Sequence, residues 1–133
     1  MTAAETGHLV FGTLHTSSAA KTIDRVVDVF PSDEKEMVRT MLSESLEAVI
    51  SQTLLKTRDG SGRIAAHEIM IATPAIRHLI RENKISQMYS MMQTSSGMGM
   101  QTLDQCLADL IKRSAINYAD ARAIAKNPDA FAA

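Results

Sequence analysis

The sequence predicts an α/β fold in which a strand, two helices and a β-hairpin precede a helical C-terminal bundle. Three observations predict it. Residues His8-Leu9-Val10-Phe11-Gly12-Thr13-Leu14-His15 form a short apolar run, closed by His15 and the Thr16 hydroxyl. That is the pattern of a buried strand delivering polar groups at its C-terminal end. Two strand-like stretches flank the turn signal Asp59-Gly60-Ser61-Gly62 and read as a hairpin. Beyond Thr73-Pro74 the apolar residues recur at helical spacing. A length of 133 residues with 45% apolar content fits one domain or a piece of one.

Taken in order, the strand over residues 8–15 leads into a helix that runs through Asp28. Ser17 or Ser18 caps it, and Ile23, Val26, Val27 and Phe30 share one face. Pro31 breaks the chain. Ser32 is a suitable N-cap for the next helix, with Asp33 and Glu34 at the positive end of its dipole. Met37, Val38, Met41, Leu42, Leu46, Val49 and Ile50 carry a helical stripe to Ser51. Gln52 to Thr57 and Arg63 to Ala72 are the hairpin strands. Thr73 then caps a helix with Pro74 at its first position, where the missing N–H costs nothing. Ile85, Met88, Tyr89 and Met92 mark another helix, and Thr94 to Gly99 a loop with two glycines. Thr102 and Gln105 make a capping-box pattern ahead of Leu103, Cys106, Leu107, Leu110 and Ile111. Asn117 caps a last short helix, and Pro128 follows its end.

Composition narrows the function classes. A net charge of −1 gives no electrostatic case for nucleic acid or for a membrane surface. The single cysteine, Cys106, excludes an intramolecular disulfide and fits a reducing compartment. No apolar run approaches the roughly 18 residues of a membrane span. The N-terminus lacks the basic and apolar regions of a secretion signal. A cytoplasmic location without membrane insertion is therefore expected. Nine Met against three Phe, two Tyr and no Trp indicate an adaptable core, or alternatively a plastic partner surface.

The chemistry-bearing residues are few. In open α/β sheets ligands bind at the carboxyl ends of strands, which is where His15 stands. A neutral imidazole there can position a water or donate one hydrogen bond to phosphate; the alternative is a packed histidine with a satisfied ring. Thr13 and Thr16 supply supporting hydroxyls, and His8 lies a strand-length away. Arg25 and Asp28, one helical turn apart, read as a solvated ion-pair face. Arg77 and Arg81 share one face of an amphipathic helix, with Ile76, Leu79 and Ile80 opposite. His67 and Glu68 point to opposite faces of a strand and do not chelate together. No Cys-x-x-Cys or His-Glu-x-x-His string occurs, so no metal site is expected. Nor is there a Gly-x-x-x-x-Gly-Lys-Ser/Thr phosphate cradle; Asp59-Gly60-Ser61-Gly62-Arg63 lacks its spacing and ending.

The run Gly7 to Thr16 resembles the His box of the secretion and pilus ATPases, which are hexameric RecA-like motors. Ser18 to Pro31 and Ala65 to Met70 extend the likeness. Ala75-Ile76-Arg77-His78-Leu79-Ile80-Arg81-Glu82 is similar to the Ala-Ile-Arg-Asn-Leu-Ile-Arg-Glu motif of the type IV pilus retraction branch, departing only at His78. The resemblance is weakest after Lys112, where Ser114-Ala115-Ile116-Asn117 replaces the usual Gly-Leu-Ile-Ser. It implies that residues 1–72 are the C-terminal part of a RecA-like ATPase core and 73–133 a helical subdomain. It further implies ATP and Mg2+ as ligands, with His15 and Thr16 at the γ-phosphate. His8, Thr13 and Arg25 would lie near the nucleotide or a subunit boundary, and Arg77, Arg81 and Glu82 at a subunit or partner contact. The implied assembly is a homohexamer on the pilus inner-membrane platform protein, at the cytoplasmic base of the pilus, driving twitching motility.

In that family the P-loop and the Walker B acid precede the His box. The chain is thus expected to be a C-terminal portion, an ATPase only as part of the full protein and inactive alone. Apolar surface left uncovered should make it self-associate, whereas a clean monomer by light scattering at high concentration would contradict this. The alternative is a non-catalytic module that caps or regulates a motor hexamer through the Arg77 and Arg81 helix and the Met-rich helical half. Pilus assembly ATPases fit less well, because the chain lacks their paired zinc cysteines.

Overall fold

Nine-residue stretches that alternate inward and outward side chains pair as an antiparallel hairpin, Ala48–Lys56 (β1) with Arg63–Ile71 (β2), in register from Ala48 opposite Ile71 to Lys56 opposite Arg63. In the computed structural model, which describes residues 1–131, this hairpin is the one sheet among the described residues. Asp59 builds its turn by accepting from the Thr57 hydroxyl at 2.7 Å and from the Ser61 amide at 3.0 Å and hydroxyl at 2.8 Å. These donors pull the Asp59 carboxyl down to about 2.

Helices pack against the hairpin from both ends of the sequence. A short N-terminal turn, Thr2–Glu5 (α1), precedes Ala19–Asp28 (α2) and Lys35–Ser45 (α3). After the hairpin come Pro74–Arg81 (α4), Ile85–Thr94 (α5), Leu103–Lys112 (α6) and Tyr118–Ile124 (α7). One core gathers Ile23 and Val27 of α2, Leu42 of α3, Met70 of β2, Ile80 of α4 and Met88 of α5. A second joins Leu55 and Ala66 of the hairpin to Leu107 and Leu110 of α6 and Ala121 of α7. Met70, Met88, Met92 and Met100 are all buried, so much of the methionine fills gaps between elements.

Several caps stand where the sequence places them. The Ser18 hydroxyl accepts from the Lys21 amide, and the Thr73 hydroxyl from the Ile76 amide with Pro74 in the first turn. The Thr102–Gln105 capping box is complete. Four expectations are corrected. Ser32 does not cap α3: residues 31–34 form a separate turn, closed by the Glu34 amide on the Pro31 carbonyl, and the helix starts at Lys35. That helix ends at Ser45 rather than Ser51, because Leu46 turns extended and Val49 pairs opposite Met70. Asn117 occupies the N-cap of α7 without a side-chain hydrogen bond. Residues 8–15 are not a strand, and among the described residues no strand precedes β1.

Candidate functional site

The segment from His8 to His15 is exposed throughout and lies outside any ladder. Leu9 is 79% and Phe11 88% exposed. The reason is physical: among the described residues no strand lies alongside to take its N–H and C=O groups, so the apolar pattern has neither ladder nor cover. The segment is pinned at Thr16, whose hydroxyl is 2.6 Å from the Thr22 hydroxyl on α2 and whose carbonyl accepts from the Ser51 hydroxyl of β1 at 3.2 Å. His15 stands in solvent immediately before this pinned residue, and Thr13 is exposed two residues earlier. At the other end of the segment, the His8 ring bonds the Thr6 hydroxyl and the Ala3 carbonyl, both at 3.2 Å. Arg25 is exposed on α2, and Asp28 pairs with Lys35 at 2.7 Å instead of with Arg25. The Lys35 hydrogen bond and charge hold the Asp28 carboxyl below its ordinary value.

A cavity of about 240 Å³ adjoins the segment, lined by Thr16 and Thr22 and by the apolar Ile23, Val26, Leu42 and Val49. Among the side chains of its walls none is charged, and Thr16 and Thr22 supply the hydroxyls. The polar groups at this edge are the His15 imidazole and the Thr16 and Thr22 hydroxyls, which can recognise a ligand by hydrogen bonding. Among the described residues no three His, Cys, Asp or Glu side chains converge as a metal site.

The entry to α2 is anchored by a group that the sequence reading passed over. Strand alternation turns His67 outward, where its Nε2 lies 3.0 Å from Gln52 Oε1, and turns Glu68 inward, where the residue is 1% exposed. Glu68 Oε1 accepts from the Ala19 amide at 2.9 Å and Oε2 from the Leu103 amide at 3.2 Å. One carboxylate thus sits at the positive ends of α2 and α6. Lys126 Nζ completes the shell at 3.1 Å from Oε2, and also reaches the Ser18 hydroxyl at 3.3 Å. The inward register of an acid between Ala66 and Met70 was the available signal, since a buried carboxylate requires partners.

The Arg77 side chain is turned onto its own fold. Its Nη1 donates to the Ser43 carbonyl at 2.7 Å and the Glu44 carbonyl at 2.8 Å, and Nη2 is 3.4 Å from Glu47 Oε1. These carbonyls close the last turn of α3, where backbone acceptors lack helical partners and the dipole is negative. Arg81 Nη1 reaches the Ser43 hydroxyl at 3.4 Å, and Arg81 and Glu82 are otherwise exposed. Arg77→Ala should cost about 1.5–3 kcal/mol, the worth of a charge-assisted hydrogen bond set at a helix end. Urea unfolding measures it; a loss below 0.5 kcal/mol, roughly the effect of an ordinary surface change, would contradict the capping role.

The family described as Type II/IV secretion system protein matches residues 1–116. The chain is 68% identical over 131 residues to the type IV pilus retraction ATPase PilT of Pseudomonas aeruginosa, covering 98% of this chain and 38% of that protein. It is 64% identical over 131 residues to a twitching motility protein of Neisseria gonorrhoeae, covering 98% and 35%. The fold superposes on the crystal structure of the pilus retraction motor PilT with bound ADP at a TM-score of 0.85 and 48% identity, over 98% of this chain and 36% of that one. The Legionella pneumophila ATPase DotB matches at a TM-score of 0.77 and 26% identity, over 92% and 33%. The chain therefore spans a little over a third of the length of its curated pilus relatives.

Proposed function

The chain belongs to the Type II/IV secretion system protein family, and from that premise we propose that it serves as the C-terminal part of an ATP-hydrolysing motor that retracts type IV pili. The observation that carries the reading is the 68% identity to a retraction ATPase across nearly the whole chain, joined to the TM-score of 0.85 against a retraction motor. In this reading residues 1–72 complete an ATPase core and residues 73–133 form its helical subdomain. The motor is a homohexamer that acts on the platform protein at the cytoplasmic side of the pilus base.

The residues present fit part of a nucleotide site. His15 supplies one hydrogen bond to a terminal phosphate oxygen or holds a water near it. Thr16, tied through its hydroxyl to Thr22 and through its carbonyl to Ser51, fixes where that imidazole starts. The exposed Thr13 and Arg25 are available to the same ligand or to a subunit boundary, His8 belongs to the outer end of that segment, and Arg81 and Glu82 are available to a neighbouring subunit. The described residues offer no carboxylate cluster that fits Mg2+, so metal ligands would come from elsewhere in a longer protein. Among the described residues no helix is long and apolar enough to cross a membrane.

Replacing the matching stretch of the Pseudomonas aeruginosa motor with this chain tests the reading. The purified hybrid should hydrolyse ATP at a rate within about threefold of its parent, the spread expected if transition-state stabilisation is intact. The isolated 133-residue chain should show no turnover. A hybrid that assembles as its parent does and leaves ATP untouched would overturn it.

A further inference from the structure

We propose that Glu68 and Lys126 are positioning residues for the His15–Thr16 segment, holding the entry of α2 to the C-terminal stretch around Lys126. The assignment of His15 to a phosphate-facing role rests on the function proposed above; the mechanical link does not. The link is a continuous run of short contacts. Asp104, in the first turn of α6, accepts from the backbone amides of Lys126 at 2.8 Å and Asn127 at 2.9 Å, which fixes where the lysine side chain begins. The ammonium of Lys126 lies 4.8 Å from the centroid of the Tyr89 ring and reaches both oxygens of Glu68. From there Glu68 grips the first amide of α2, and Lys126 itself grips the Ser18 cap. Ser51, directly opposite Glu68 in the hairpin register, holds the Thr16 carbonyl.

Lys126 and Ser18 are 108 residues apart in sequence, yet the lysine closes the shell from which α2 departs. His15 and Thr16 lie upstream of α2, separated from Ala19 only by Ser17 and the Ser18 cap. A polar group buried among helix ends has one low-energy arrangement, so loss of its cation lets the whole entry relax. A displacement of the C-terminal stretch would therefore move the imidazole, and a ligand held by the imidazole would bias that stretch in return. No reaction step is assigned to either residue.

Amide spectra and hydrogen exchange of the 133-residue chain test this without nucleotide, so the result is independent of whether His15 meets a phosphate. In Lys126→Met the amides of Ala19 and Lys21 should exchange about tenfold faster, as expected for a locally opened helix start. The His15 and Thr16 resonances should move. The α4 amides of Leu79 and Ile80 should keep their rates, and Lys126→Arg should restore both readouts. Lys126→Gln, which keeps most of the stem, supplies the comparison if the methionine variant does not fold. Unmoved His15 and Thr16 resonances would overturn the proposal. Equal acceleration in α2 and α4 would overturn it too, since it would reduce the pair to general support of the fold.

Discussion

Glu68→Leu should lower the unfolding free energy by about 3–4 kcal/mol, the range for removing one partner of a buried ion pair. The size follows from what the carboxylate satisfies. Without it the Ala19 and Leu103 amides at the starts of α2 and α6 lose their acceptor, each worth about 1–3 kcal/mol when left unpaired in the interior. Lys126 loses its counter-ion, but its side chain is 34% exposed and can turn to water, which limits the electrostatic part. Lys126→Met should cost less, about 1–2 kcal/mol, because Glu68 keeps both amide donors. The double variant should be less damaging than the sum of the singles, since the two groups share one network. Urea unfolding at constant m-value measures all three. A loss under 1 kcal/mol for Glu68→Leu would mean that other groups or water satisfy the two helix starts.

Local signals in the sequence led to local structure. Thr102 with Gln105, and Thr73 with Pro74, specify helix starts through bonds that close within four residues, so their neighbours suffice to predict them. The hairpin was legible because Asp59-Gly60-Ser61-Gly62 supplies its own turn chemistry. Errors arose where a distant partner decides. Val49 and Ile50 satisfy a helical stripe and a strand equally well, and only pairing with Met70 and Ile69 makes them β1. Residues 8–15 carry the hydrophobic pattern of a strand, but a strand needs a neighbour, and pattern alone does not supply one.

The same division applies to the site. His15 was found from its position after an apolar run and from the resemblance of that run to a His box. The inward register of Glu68 calls for partners, but its cation Lys126 lies 58 residues away, beyond the reach of any local pattern. The helical wheel places Arg77 opposite Ile76, Leu79 and Ile80 but does not reveal that the end of α3, more than 30 residues earlier, accepts from its Nη1.

In the proposed motor the edge pinned at Thr16 presents His15 to the nucleotide. His15→Ala in the hybrid motor, with ATP turnover measured across substrate concentrations, tests it most directly. The kcat should fall about 10²-fold, the usual consequence of deleting one donor that stabilises transition-state charge. KM for ATP should change by less than about threefold, because a transition-state contact adds little to ground-state binding. Unchanged kcat in a hexamer that still binds ATP would contradict the claim and leave His15 a solvated residue at the foot of α2.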